Sequence, residues 1–443
     1  MSSTSRVGFL FSDLVTFPTM SRPRIFISHS AKEPQSERFL SLLSKALKQT
    51  GFDVLVDRER LEPGAIWKDE LYTWMGLCHV GIILLSESVF RPDSIWVPRE
   101  ASILMWRRRL DPNFHLIPIQ LANLNPSDLT SGAFRDLDIG QLQFVHDKSH
   151  AVMIRSVTTD LAARTLALKD TPLESIASQV AFHLREVPNS ILIDAAERLD
   201  VDLGAWNPQH SSAKALALRL LQVPLRNAVG VIEFLAGYLD DTAPDRILDL
   251  VAPSWVDLCA ASLIPQCARS EPYSRSIAIN AGSLFSAQMY VRRACCQPSK
   301  TSWPVYKYSG VYGENILDDI IGEVEECLVR AFGLDLDLDT RNAKNVLRRL
   351  LKTRKQQGKP VFIVLEYSIA IAHTLSALQQ SLPEVTFLIL TGETFPDVDI
   401  FSKSQTVLLR PELEEGEEVA AQDDYWYAVS VLSPQVFKRG ASK

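Results

Sequence analysis

Long apolar runs are missing from these 443 residues. Nothing approaches the ~20 consecutive apolar residues that a membrane-crossing helix needs, so no bilayer-spanning chain is expected. Positive charge is also short. Lys and Arg number 46 against 53 Asp and Glu, a formal net charge of −7. A coat of charge for nucleic acid is therefore not expected. Cysteine is scarce and scattered: Cys78, Cys259, Cys267, Cys295, Cys296 and Cys327, with no CxxC and only 8 histidines. That pattern supports neither a disulfide scaffold nor a structural zinc site. It reads as a reduced, cytoplasmic protein with free thiols and no metal. What is present is ordinary globular composition, 46 % hydrophobic and 22 % charged. The length suits about two to four domains.

The first 19 residues lack a secretory pattern, because the apolar run Val7–Phe11 is short and Asp13 interrupts the stretch after it. Residues 1–22 are expected to be a disordered extension, with Met20 read as the natural start; an extra element packed on the fold is the alternative. From Arg24 to about Phe144 strand and helix signals alternate. Ile25–Ser28, Phe52–Val56, Val80–Leu85 and His115–Leu121 read as strands, with Glu37–Gln49 and Glu100–Arg109 as helices. Apolar strands separated by helices predict a parallel sheet covered on both faces.

Between about Ile154 and Leu239 the signals are helical only. Thr171-Pro172-Leu173-Glu174 spells a capping box with proline at the first helical position. Asn189 or Ser190 is expected to cap Ile191–Leu199, Ser211 or Ser212 to cap Ala213–Leu221, and Asn227 to precede Val229–Leu239. Short helices with short connections predict a small bundle. After about Pro253, strands are expected at Ser276–Asn280, Val305–Tyr308, Val361–Glu366, Val385–Thr391 and Thr406–Leu409, with helices at Asp318–Phe332 and Arg341–Lys355. Glu412–Asp424 holds seven acids and no base, and reads as a solvated helix start and loop. Arg341 to Lys359 carries eight bases and no acid; no aromatics interleave, so a nucleic-acid face is not expected.

Three polar clusters come after the early strands. Ser28, His29 and Ser30 end the first strand, where ligands meet open α/β sheets. A plain polar turn would look the same. Asp57-Arg58-Glu59-Arg60-Leu61-Glu62-Pro63-Gly64 comes after the second strand, and such loops are functional or merely solvated. Ser86 comes after the third, ahead of Trp96-Val97-Pro98-Arg99-Glu100. A glutamate in a first helical turn ordinarily just complements the helix dipole.

Taken together the clusters resemble the Toll/interleukin-1 receptor (TIR) domain family in its bacterial form, over about residues 23–150. RIFISHS resembles the family's first box, and DVLVDRERLEPGAIWKDEL the second box with its long loop. CHVGIILLSESVF with SIWVPRE resembles the strand and Trp-x-x-x-Glu segment of the NAD-cleaving branch, and LIPIQL a later strand. The resemblance implies a flavodoxin-like fold and hydrolysis of NAD, with Glu100 as the catalytic carboxylate and NAD as substrate rather than cofactor. Pro98 departs from the family pattern but suits an early helical turn. Breaking the nicotinamide–ribose bond builds oxocarbenium character, which a fixed carboxylate stabilises. Nicotinamide leaves neutral, so one glutamate suffices where O-glycosides need two carboxylates. Ser28, His29, Ser30 and Ser86 would contact ribose or phosphate. Arg58 and Arg60 would pair with pyrophosphate or simply be solvated, and Trp96 would line the pocket or sit in the core. Asp57, Glu59, Glu62, Pro63 and Gly64 match the family's assembly loop, which implies self-association. A non-enzymatic adaptor, or an enzyme making a cyclic ADP-ribose signal, is the alternative.

Residues 172–240 resemble effector-associated domains of bacterial conflict systems, which implies docking to a partner protein; a spacer bundle would look similar. Residues 253–430 resemble an eroded P-loop NTPase core of the signalling (STAND) type. Asn280-Ala281-Gly282-Ser283 occupies the phosphate-cradle position without GxxxxGK[ST] or its lysine. Val361–Glu366 resembles a Walker B strand ending in glutamate. The whole would be an α/β effector of anti-phage defence: a TIR domain, a helical adaptor and a degenerate NTPase-like domain.

Overall fold

The structure, a computed structural model, describes residues 22–30, 33–56, 67–91, 93–121, 124, 126–129, 132–164, 166, 170–199, 211–268, 276–308, 317–334, 340–367, 372–392 and 406–432. Its first sheet consists of β1 (Arg24–Ser28), β2 (Asp53–Leu55), β3 (Val80–Leu85) and β4 (His115–Gln120), in the order β2-β1-β3-β4. All pairings are parallel, with Ile25 opposite Val80 and Ser28 opposite Ile83. Every residue of β3 is buried, as expected of an uninterrupted apolar strand covered on both faces. One cover is α1 (Pro34–Gln49) with α4 (His150–Ala163), whose Phe39, Leu43, Met153 and Val157 meet Ile25, Ile27 and Ile82. The other is α2 (Trp67–Leu77) with α3 (Trp96–Leu110), which pack on Phe26, Ile83 and Leu85. The arrangement is flavodoxin-like, and the chain reverses its direction of travel across the sheet between β1 and β3.

Two helix starts differ from the expectation. α1 begins at Pro34 rather than Glu37, because proline is tolerated where the first-turn N–H groups have no partner. α3 begins at Trp96, so Glu100 sits in the second turn, not the first, and the first turn holds no acid.

The helical region contains α5 (Pro172–Leu184), α6 (Asn189–Glu197), α7 (Ser212–Leu220), α8 (Leu225–Leu235), α9 (Ala243–Val251) and α10 (Leu258–Cys267). The capping box is present: Thr171 Oγ1 accepts the Glu174 N–H, and the Glu174 carboxylate accepts the Thr171 N–H at 2.9 Å. Ser211 caps α7 by accepting the Lys214 N–H at 3.3 Å. Neither Asn189 nor Ser190 caps α6; Pro188 stands at that position with no side-chain bond. Asn227 likewise lies inside α8, which starts behind Pro224. Helices α9 and α10 carry the helical region past Pro253, where strand signals were expected to take over. All ten residues of α10 are buried. A helix wet on no side is a core element, and α10 lies between the first sheet's α3 and the next domain.

The second sheet has β5 (Ser276–Ile279), β6 (Val305–Lys307), β7 (Val361–Glu366), β8 (Val385–Leu390) and β9 (Val407–Leu408), in the order β6-β7-β8-β5-β9. It too is parallel throughout. Helix α11 (Leu284–Cys295) lies with one face, and α12 (Leu317–Ala331), α13 (Thr340–Gln356) and α14 (Ala372–Ser381) with the other; α15 (Glu417–Leu432) packs outside α11, against α8, α9 and α11. The regions are joined by specific contacts. Arg24 at the start of β1 pairs with Glu174 at 2.7 Å, and Trp106 of α3 donates to the Ala294 carbonyl of α11 at 2.8 Å. At Gly76 of α2 a Cβ would lie 2.7 Å from Leu173 Cδ2, so the approach of α5 depends on that glycine. Among the described residues no single helix is long and apolar enough to cross a membrane.

Candidate functional site

The carboxyl ends of β1 and β3 flank the point where the chain reverses direction, the place at which open parallel sheets bind ligands. Ser28 closes β1 and is fully buried, and its Oγ has no hydrogen-bond partner among the described residues. An unpaired buried hydroxyl at a sheet edge has the character of a contact held for something else. Ser86 comes directly after β3; it is buried and shares a 3.0 Å hydrogen bond with Ser88 Oγ. His29 is half-buried, with Nδ1 3.4 Å from the Ile27 carbonyl, and Ser30 is buried.

Glu33, which the sequence reading missed, ties these loops together. Its carboxylate accepts the Ser88 N–H at 2.6 Å and the Ser36 hydroxyl at 3.2 Å. It thereby fastens the amino end of α1 to the loop after β3. The acid at the residue before a Pro-led helix was the available signal, although its second partner lies 55 residues away.

The amino-terminal turns of α3 stand at the same end of the sheet, since α3 leads out of the loop after β3. Glu100 is buried, 7 % exposed, among the buried Val97, Ala101 and Ile103 of its own helix. A carboxylate shielded from bulk water acts more strongly on a nearby developing positive charge than an exposed one does. Trp96 is neither core nor open: it is half-buried, and the Arg99 guanidinium stacks on its ring at 5.0 Å.

The far side of α3 is fixed as well. Ser102 Oγ accepts from Ser262 Oγ of α10 at 2.9 Å and lies 3.3 Å from Cys259 Sγ. Arg107 is fully buried; it donates to the Cys78 carbonyl at 2.9 Å and stacks on Phe114, and burial pulls its pKa down. The helix that bears Glu100 is thus held by the sheet on one side and by α10 on the other.

The remaining expected site residues, Asp57, Arg58, Glu59, Arg60, Glu62, Pro63 and Gly64, lie outside the described residues, as do residues 1–21. Among the described residues no group of three His, Cys, Asp or Glu side chains could hold a metal ion.

The second sheet's corresponding loop is arranged differently. The Gly282 N–H donates to Glu418 Oε2 at 2.7 Å, and the Ser283 and Ser286 hydroxyls donate to Glu418 Oε1. Asn280 and Leu413 exchange two hydrogen bonds of 2.9 Å each. The acidic stretch is therefore not simply a solvated helix start. One of its carboxylates accepts the donors at the head of α11, where a helix start favours negative charge. Glu366 at the end of β7 pairs with Lys307 at 3.1 Å. In the basic stretch, Lys344 and Arg348 both pair with the buried Glu325 of α12, at 3.0 and 2.8 Å.

Residues 25–150 match the family described as the TIR domain. No curated protein matches the chain.

Proposed function

We propose that this protein cleaves the nicotinamide–ribose bond of NAD, with Glu100 as the carboxylate that stabilises the ribosyl cation as nicotinamide leaves. The observation that carries the reading is the buried Glu100, on the first α-helix after β3 of a TIR-matched region, at the same sheet end as Ser28, whose hydroxyl has no partner among the described residues. The carboxylate acts in the transition state, where charge exists, rather than on the neutral leaving group. Ser28 and Ser86 would hold ribose or phosphate oxygens, and Trp96 with Arg99 would form a wall beside them. Arg58 and Arg60 would reach the pyrophosphate. TIR domains commonly self-associate, and the loop Asp57–Gly64 would form that contact, so activity rises with assembly. The helical region at 172–240 would dock a partner protein, and the outcome would be NAD depletion in anti-phage defence.

The test is to incubate the concentrated chain with NAD and resolve the products by chromatography. Glu100→Gln keeps shape and removes charge; we expect cleavage to fall by a factor of about 100 or more while the thermal midpoint stays within about 2 °C. A well-folded Glu100→Gln protein that keeps most of the activity would refute the assignment. Cyclic rather than linear ADP-ribose in the product would redirect it.

A further inference from the structure

The acidic and basic stretches are only partly used inside the chain. Glu418 is committed to the α11 loop, and Lys344 and Arg348 to Glu325. What remains forms two outward stripes. On α13, Arg341, Asn345, Arg349, Lys352 and Gln356 recur at helical spacing and are all exposed, with Val346 beside them. On α15, Val419, Asp423, Trp426, Tyr427 and Val431 share one face, with Trp426 50 % and Tyr427 57 % exposed. The exposed Glu412, Glu414 and Glu415 precede the amino end of α15.

The two helices lie with opposite faces of the second sheet. Ala343, Leu347 and Leu351 of α13 belong with Ile363, Leu365, Phe387 and Ile389. Helix α15 instead lies beyond the other face, packed on α8, α9 and α11, with Tyr425 against Phe285 of α11. The basic stripe and the acidic aromatic stripe of one chain therefore cannot meet each other.

We propose that they meet between copies: the α15 face of one chain docks on the α13 face of the next. The signs are opposite, and guanidinium and ammonium groups bind aromatic faces as well as carboxylates. The lengths agree, with 16 residues in α15 and 17 in α13. The apolar Val346 on the basic stripe and Val419 and Val431 on the acidic one give the contact a dry component. Because two different surfaces are used, the contact is head-to-tail and adds copies beyond a dimer, into a ring or an open chain. The inference goes beyond the NAD reading and does not rest on it, since its readout is mass, not cleavage.

Sedimentation velocity of the full chain tests it. Wild type is expected to form species larger than a dimer at tens of micromolar, and to lose at least tenfold in association between about 50 and 500 mM salt. One variant, Arg349→Glu with Lys352→Glu, disables the basic stripe; another, Asp423→Lys with Trp426→Ser, disables the acidic one. Each alone should associate at least tenfold more weakly than wild type, and their mixture should regain one contact per pair of chains, through the intact stripe of each. The milder Lys352→Gln and Tyr427→Ser, which leave the helices' buried faces untouched, should each weaken association severalfold. A monomeric wild type, association that neither double variant weakens, or a mixture that associates no better than either variant alone would each overturn the proposal.

Discussion

The two parallel sheets of this chain treat their ligand edges in opposite ways. At the first, the Ser28 hydroxyl is buried without a partner among the described residues, and the Ser86 hydroxyl bonds to that of Ser88. At the second, every donor named at the head of α11 is taken by Glu418, and Asn280 is taken by the Leu413 backbone. One architecture thus gives one edge with an unmet polar group and one edge satisfied from within the chain. A parallel sheet supplies a place for a ligand, and the loops decide whether the place is left open.

The amino edges differ too, and acid should separate them. At the first sheet the Arg24 N–H donates to His79 Nδ1 at 3.0 Å, and burial together with the Arg24 charge brings the His79 pKa down to about 4. Glu174 works in the same direction. Burial alone would raise its pKa, but Arg24 and the Thr171 N–H outweigh burial and hold it below the usual carboxylate range. Both groups bind protons more readily when the chain is unfolded. The stability that His79 contributes is therefore whole above about pH 6.5 and is lost as the pH falls toward 4; that of Glu174 goes as the pH falls through its lowered value. The second sheet's amino edge uses neutral groups: Ser276 bonds to Thr406 at 2.9 Å and to Gln379 at 3.1 Å. Between pH 6.5 and 4 the first region should lose roughly 2 kcal/mol through His79, after discounting for its partial exposure. Amide exchange measured against pH should show β1 and β3 opening before β5 and β8. His79→Asn, which keeps an acceptor without the titration, should flatten the acid limb. Simultaneous loss of both sheets with the same slope would contradict the assignment.

The satisfied edge can be broken directly. Glu418→Ala removes the acceptor of three bonds and leaves the Gly282 N–H and two serine hydroxyls facing one another. Bonds to a charged group of this kind point to a loss of about 2 kcal/mol, read as a lower midpoint in urea with unchanged slope. In the wild type, calorimetry with ATP and magnesium should show no binding, because a carboxylate fills the loop and the loop carries no P-loop lysine. Micromolar ATP affinity, abolished by changes at Ser283 and Ser286, would show that the loop releases Glu418 for phosphate.

Much of the fold was legible in the sequence where the physics is local. The strands were placed to within about a residue at each end, because strands buried on both faces are unbroken apolar runs bounded by polar turns. The Thr171 box and the Ser211 cap are short-range chemistry and read correctly. The starts of α6 and α8 did not, since Pro188 and Pro224 fix the backbone without offering a side-chain acceptor. Glu33 and Glu418 were not legible in role, because the groups that define them lie 55 and more than 130 residues away. The same separation hid the Arg24–Glu174 pair, 150 residues apart. The positions of Ser28, His29, Ser30 and Ser86 just at or after strand ends followed from the apolar runs alone, whereas the place of Glu100 in the second turn of α3 came clear only when its start moved to Trp96.

The smallest expected effect compares two buried serines. Ser276 is fully buried and its hydroxyl has two partners, so Ser276→Ala should cost about 1–2 kcal/mol and leave the Thr406 and Gln379 groups short of a bond. Ser28 is equally buried but its hydroxyl has no partner among the described residues, so Ser28→Ala removes an unmet polar group. Its effect on unfolding in urea should be within about 0.5 kcal/mol of zero, or slightly stabilising. If that hydroxyl serves a substrate, the same change should raise the KM for NAD severalfold with little change in kcat, because a contact to ribose or phosphate is made in ground and transition state alike. A structural serine would give the reverse pattern: lost stability and unchanged KM. A Ser28→Ala protein that is destabilised as much as Ser276→Ala would show that the hydroxyl is satisfied within the fold, and the contrast between the two sheet edges would fail at its most sensitive point.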